Sequence, residues 1–306
     1  MNSLFINHKA PSEISISCFG EVLWDVFSNG NKKIGGAPLN VALRLHAFNN
    51  EVTMISAIGN DQNGIELLDY LIENNLSIEG VQKKVGVSTG EVQVTLNNKG
   101  SATYRISHPS AWDKIELTNT IVEKVKNSDA LVFGSLITRD EVSRYTLFEL
   151  IDLSKYKIFD LNLRPPHYSK DILMALMEKA DFIKFNDDEL YEVSKYFGSK
   201  YNGLEQNLKF IAEQTHTKHV CVTKGEHGAV LLYNDNLYYN SGYKVSVVDT
   251  VGAGDSFLGS LISELIHKTN PQQALDFARA LGALVAQKEG ATPKISLDEI
   301  GVFINP

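Results

Sequence analysis

Alternating strand and helix patterns predict an α/β fold with a mostly parallel central sheet. Three observations carry that reading. Apolar runs bounded by turn residues recur along the chain, and segments of helical period lie between many of them. Repeated β-α units imply parallel strands covered by helices on both faces. Two stretches break the rhythm and read as a smaller sheet standing off the main body.

The main-sheet strands are predicted at 14–19, 52–58, 130–134, 157–161, 182–185, 219–223 and 229–233. The segment 21–33 is strand-like but too polar for a central strand. Next, 38–48 places Val41, Ala42, Leu45 and Phe48 on one helix face, with Pro38 near the first turn. The segment 91–106 alternates: Val92, Val94 and Leu96, a turn at 97–100, then Ala102, Tyr104 and Ile106. That is a half-buried antiparallel hairpin. An apolar strand is expected to end at Asp249. Phe257, Leu258, Leu261, Ile262 and Leu265 then mark an amphipathic helix. A third long helix follows Pro271 and runs to about residue 287. No Pro/Gly/Ser-rich linker divides the chain. Residues 1–306 therefore read as one domain, with lid strands inserted at about 21–34 and 88–110.

Composition narrows the function. The chain has 306 residues, 43% of them apolar and 22% charged, as globular domains do. Its 29 basic and 37 acidic side chains give a net charge of −8, which disfavours sequence-independent nucleic-acid binding. No run of about 18 apolar residues predicts a membrane span, and residues 1–12 lack the apolar core of a secretion signal. The two cysteines, Cys18 and Cys221, sit in apolar strand-like runs and read as buried thiols of a reducing, cytoplasmic protein. No Cys-x-x-Cys or His-Glu-x-x-His spacing points to a resident metal.

The most informative segment is VSVVDTVGAGDSFLGSLIS, residues 245–263. Its small residues allow a tight turn, and the free N–H groups of the following helix form an anion site. No Gly-x-x-x-x-Gly-Lys-Ser/Thr exists, so it is not a P-loop. Phe257 stands where a Rossmann fingerprint needs glycine. Asp255 at the helix start has two readings. It is a partner of the helix dipole, or a base that takes a proton from an attacking hydroxyl beside the anion hole.

DTVGAGDSFLGSL resembles the C-terminal signature of the ribokinase-like (PfkB) family of carbohydrate kinases. GGAPLNVALRLHAF at 35–48 looks like that family's N-terminal signature, and AIGNDQNG at 57–64 like its next conserved stretch. The resemblance runs over almost the whole chain in the family's order. It implies a three-layer α/β/α sandwich with a small β-sheet lid, and ATP with Mg²⁺ as phosphoryl donor. It makes Asp255 the general base and Gly252, Ala253 and Gly254 the anion hole. KFNDDEL at 184–190 resembles the family's Asn-x-x-Glu motif, so Asn186 and Glu189 would organise Mg²⁺ through water. An Asn cap with acidic first-turn residues explains the same letters locally. VTKGEHGAVL at 222–231 resembles a strand-turn-strand near the nucleotide, carrying Thr223, Gly225 and Gly228. In several members the counterpart of Asp249 helps hold a monovalent cation, which extends the resemblance to a K⁺ site, with 289–291 nearby. Arg279 departs from the family, which commonly carries Asn there, near the adenine.

For the sugar, GEVLWD at 20–25 resembles the motif of fructokinase-like members and offers Asp25 to two hydroxyls. Gly35 and Gly36 would let the sugar approach the backbone, and Asn40 offers donor and acceptor. DLNLRPP at 160–166 looks like the fructokinase sequence and offers Arg164. Tyr104 and Arg105 fall where related kinases touch substrate, and Trp112 is a further lid candidate. The reading is a fructokinase converting D-fructose and ATP to fructose 6-phosphate and ADP. The alternatives are 2-keto-3-deoxygluconate kinase, whose substrate carboxylate would suit Arg105 and Arg164, and ribokinase. Further off is a sugar-responsive binding protein without catalysis. The family also implies a homodimer paired through the lid.

Overall fold

The computed structural model describes residues 14–96 and 102–305, except for the side chains of residues 96 and 102–104. The predicted turn at 97–100 and residues 1–12 lie outside the described residues.

Nine strands form the main sheet: β1 (Ser15–Phe19), β4 (Glu51–Gly59), β5 (Val81–Lys84), β8 (Ala130–Gly134), β9 (Lys157–Asp160), β10 (Phe182–Asn186), β11 (His219–Thr223), β12 (Ala229–Tyr233) and β13 (Asn236–Asn240). Their order is β13-β12-β11-β10-β9-β8-β1-β4-β5. From β5 to β11 along this order every neighbouring pair is parallel; β12 runs against them, and β13, antiparallel to β12, runs with them again. Alternate residues of each central strand enter opposite cores, which is why these strands read as continuous apolar runs. On β8, Leu131 and Phe133 face one core while Ala130 and Val132 face the other. The first core packs α3 (Asn119–Asn127), α4 (Glu141–Leu153), α5 (Lys170–Lys179), α6 (Asp187–Tyr196) and α7 (Leu204–Thr215). The second packs α1 (Ala37–Ala47), α2 (Gln62–Glu73), α8 (Ala253–Ile266) and α9 (Pro271–Ala286). A last helix, α10 (Leu297–Ile304), packs on α9. Cys18 and Cys221 are free and buried.

The second sheet has the order β3-β2-β6-β7, from β2 (Leu23–Phe27), β3 (Lys32–Gly35), β6 (Gly90–Leu96) and β7 (Ala102–Ile106). The predicted hairpin is the β6–β7 pair. The 21–33 stretch becomes two strands, and β2 lies parallel to β6. One face gathers Leu23, Phe27, Val92, Val94 and Ile106.

Strand order reverses beside β1, which has β4 on one side and β8 on the other. In open parallel sheets that point opens a crevice at the carboxyl ends of the strands. Here the chain leaves β1 into residues 20–25, β9 into 161–164, β10 into 186–189 and β11 into 223–228.

Two expectations are corrected. The segment 245–249 is not a strand. It pairs with no strand among the described residues, Val247 and Val248 are exposed, and its backbone is tied only where Val248 and Asp249 donate to the Ala286 carbonyl. Trp112 is no lid contact either. It is fully buried in a 3-10 helix (Ala111–Lys114), with the Arg139 guanidinium 3.9 Å from its ring centre. Asp113 pairs with that arginine at 2.8 Å, so Trp112 belongs to the wall behind β6.

Phe159, fully buried, stacks on Phe133 at 5.2 Å in the first core. Phe159→Ala is expected to lower the unfolding free energy by about 3–5 kcal/mol, the scale for emptying an aromatic site. Urea unfolding measures it, and an unchanged midpoint contradicts the packing described.

Candidate active site

Helix α8 begins at Ala253 after Gly252, whose φ of 75° is left-handed. A Cβ on Gly252 would meet the Ala291 carbonyl oxygen at 2.1 Å, so this turn requires glycine. The Ser256 N–H makes the first helical bond, to the Gly252 carbonyl. The amides of Gly254 and Asp255 lie in the first turn, where the helix offers no acceptor, and the helix dipole favours an anion there. The Ala253 N–H reaches the Thr250 carbonyl at 3.3 Å, which makes it the more engaged member of the trio.

Asp255 is held from across the fold. Asn40 Nδ2 on α1 donates to Asp255 Oδ2 at 2.8 Å, joining residues 215 apart in sequence. The two glycine-rich motifs are thus one site. Asn40 is itself fixed by Gly36, which caps α1 with φ 119° and accepts the Asn40 N–H. A Cβ on Gly36 would meet the Glu21 carbonyl oxygen at 2.4 Å. Gly35 packs beside Asp25, whose Oδ2 would lie 2.6 Å from an added Cβ. Burial pushes Asp255 up to about 6, Asp160 adds to the rise, and Asn40, Lys184 and Arg164 oppose it. Burial likewise raises Asp25 to about 6, against the pull of Arg164 and Lys33.

The motifs did not single out Lys184. Its ammonium lies 2.9 Å from Asp160 Oδ1, with both side chains buried. Burial lowers its proton affinity, but Asp160 and Glu189 outweigh that and hold it at about 12, a permanent cation. A Cβ on Gly254 would sit 3.6 Å from Lys184 Nζ, so the buried ammonium lies directly against the start of α8. The signal was a lysine in a strand that otherwise reads apolar.

Asn186 and Glu189 form a reciprocal cap on α6. Asn186 Oδ1 accepts the Glu189 N–H, and Glu189 Oε2 accepts the Asn186 N–H, each at 2.8 Å. Glu189 Oε1 accepts the Leu163 N–H at 2.8 Å, tying this turn to the segment that bears Arg164. Each carboxylate oxygen keeps a lone pair for water, which suits a hydrated Mg²⁺. Among the described residues no cluster of three or more acidic, His or Cys side chains could hold a metal directly. Asp249 bridges two segments, accepting from the Val251 N–H at 3.0 Å and the Gly290 N–H at 3.2 Å.

Arg164 is exposed, donates to the Leu163 carbonyl, and is felt electrostatically by Asp25, Glu21 and Asp255. Thr223 ends β11 with its hydroxyl toward the Phe185 carbonyl at 3.3 Å. Gly225 and Gly228 form the turn into β12. Arg279 is buried below that turn and donates to the Gly225 carbonyl at 2.9 Å, a support for the turn rather than an open contact. Arg105 is not brought to the site. In register it pairs with Gln93, on the face opposite the one that carries Asp25, Val92 and Ile106. Alternation along the strand decides this, and single-residue matching missed it. The backbone of Tyr104 pairs with Val94, and its side chain lies outside the described residues.

A buried carboxyl at a helix start, free first-turn amides with the Lys184 ammonium nearby, and the carboxyl of Asp25 beside Gly35 are groups that phosphoryl transfer could use. Known proteins agree. Probable fructokinase-6, chloroplastic, from Arabidopsis thaliana is 27% identical over 312 residues, 93% of this chain and 80% of its own. An uncharacterized sugar kinase of Pyrococcus horikoshii superposes with a TM-score of 0.80 at 26% identity, covering 92% of this chain and 95% of that one. It has also been solved in complex with ATP. The fructokinase of Vibrio cholerae, solved with fructose, ADP and calcium, superposes with a TM-score of 0.82 at 24% identity, over 96% of this chain and all of that one, and so speaks to the ribokinase-like fold. The profile described as pfkB family carbohydrate kinase matches residues 9–297, which include both glycine-rich motifs and the carboxylate they share, and the chain belongs to that family of sugar kinases.

Proposed function

We propose that this kinase is a fructokinase that transfers the γ-phosphoryl group of ATP to the primary hydroxyl of D-fructose. The observation that carries the reading is the Asn40–Asp255 bond, which fixes a base between the sugar side and the anion hole. Asp25 accepts sugar hydroxyls, and Gly35 and Gly36 let the ring approach the backbone. Asp255 takes the proton as the hydroxyl attacks in line. The first-turn amides of α8 and the Lys184 ammonium meet the charge spread over the phosphoryl oxygens. Asn186 and Glu189 would hold hydrated Mg²⁺ through water, and the ion would neutralise nucleotide phosphates. Asp249, bridging the 249–251 and 290 segments, would sit beside a K⁺ ion. The small sheet serves as the lid that excludes water.

Relatives described as fructokinases, at 27% identity, support fructose. The placement of Arg105 removes one of the two arginines that suited a keto acid, and leaves Arg164. A non-catalytic binding protein would have no use for a base between two motifs.

Three outcomes test the proposal. Asp255→Asn keeps the fold and lowers kcat at least about 10²-fold, the scale of a lost general base. Near-wild-type turnover removes Asp255 from its role. Because the base works as the anion, activity is lost as pH falls through about 6, and kcat/KM against pH shows it. A flat profile from pH 5 to 7 contradicts the assignment. In an ADP-release assay against fructose, ribose, 2-keto-3-deoxygluconate, adenosine and fructose 6-phosphate, fructose gives the highest kcat/KM. If the keto acid wins, the kinase stands and Arg164 passes to its carboxylate.

A further inference from the structure

A cavity with room for about one water molecule lies under the sugar side of the site, where β1, β8 and β9 end. Three of the side chains lining it carry a buried oxygen with no hydrogen-bond partner: Glu21 Oε2, Ser135 Oγ and Asp160 Oδ2. Buried polar atoms are costly to leave unpaired. Three such atoms around one small space point to a partner they share.

Glu21 has no part in the chemistry above, yet it touches its supports. The backbone amides of Glu21 itself and of Ala37, the first residue of α1, act on its carboxyl and favour the charged form. Helix α1 carries Asn40, which grips Asp255. Across the cavity, Asp160 holds Lys184 beneath Gly254. We propose that Glu21 is a positioning residue that binds one buried water together with Ser135 and Asp160, and so locks the start of α1 to the Asp160–Lys184 pair. The sugar side and the phosphate side of the site are then held in register by a single solvent molecule. A water has two donors and two acceptors, enough for all three oxygens.

The acid form of Glu21 suits this arrangement, because a second carboxylate charge would face Asp160 across one water. Arg164 and Asp255 are the other charged groups that act on it, with opposite sign. Burial is the main cause that raises Glu21 to about 7. The fold therefore favours the protonated group, and the stability it contributes is lost as pH rises from about 4.5 through about 7.

The inference rests on the kinase reading, so two readouts separate them. The first needs no turnover: melting midpoints of wild type and Glu21→Gln between pH 5 and 8. The glutamine mimics the acid form, accepting from Ala37 and donating to the water. Wild type is expected to lose stability relative to Glu21→Gln as pH rises, and parallel curves overturn the proposal. The second is kinetic, with fructose and Mg-ATP. Wild-type kcat is expected to decline above neutral pH, and Glu21→Gln is expected to keep kcat within about 3-fold at pH 7 and to lack that decline. Glu21→Ala is expected to lower kcat about 10-fold or more, with the KM for ATP little changed, as misplacement of reacting groups does. Ser135→Ala is expected between them, and with Glu21→Gln it carries the test if Glu21→Ala fails to fold. Wild-type kcat in Glu21→Ala, or equal damage from Glu21→Gln and Glu21→Ala, overturns the proposal. A wild type with no turnover would instead count against the kinase reading.

Discussion

Too many carboxylates meet in too little water, and the rest of the site is arranged around that constraint. Glu21, Asp25, Asp160 and Asp255 converge near the carboxyl ends of β1 and β9 and the start of α8, with Lys184 and Arg164 as the cations that act on them. Each carboxylate is settled differently. Asp160 pairs with Lys184 at 2.9 Å. Asp255 is held by Asn40 and raised to about 6, low enough to be an anion at neutral pH and high enough to accept a proton. Lys184 stays charged because Asp160 holds it, so a fixed cation lies below the helix start before any phosphate arrives. Electrostatic preorganisation of that kind is usually the largest catalytic term.

The packing of α1 against α8 turns this electrostatics into geometry. Gly259 on α8 lies close to Arg44 of α1, whose Nε donates to Ser256 Oγ at 3.2 Å and whose second nitrogen reaches the Pro293 carbonyl. Burial lowers the Arg44 guanidinium to about 10, still charged at neutral pH. Ser256, the residue after Asp255, is thus anchored to the helix that carries Asn40, and that helix to the segment that packs on Gly252. Moving either helix displaces Asn40 and Asp255 from one another.

Much of this was legible in the letters. Continuous apolar runs gave the buried parallel strands, because both faces of β8 and β11 are covered. Alternation at 91–106 gave the hairpin, because only one face of it is packed. The glycines at 36 and 252 marked turns that a Cβ would block. Other features depend on neighbours distant in sequence and left no local mark. Trp112 is covered by Arg139, and 245–249 is tied to Ala286 of α9 rather than to a strand. Arg105 looked like a sugar ligand until strand register placed it on the wrong face. Lys184 and Asp160 acquire meaning only as a pair, across adjacent strands β9 and β10.

The central claim is that Asn40 acts through Asp255, so that the two motifs form one catalytic unit. A double-mutant cycle on kcat/KM with Asn40→Ala and Asp255→Asn measures that directly. The account predicts strong non-additivity: Asn40→Ala is costly in the wild type and nearly silent once Asp255 is asparagine. Equal cost of Asn40→Ala in both backgrounds would show that the two residues work apart, and would contradict the account.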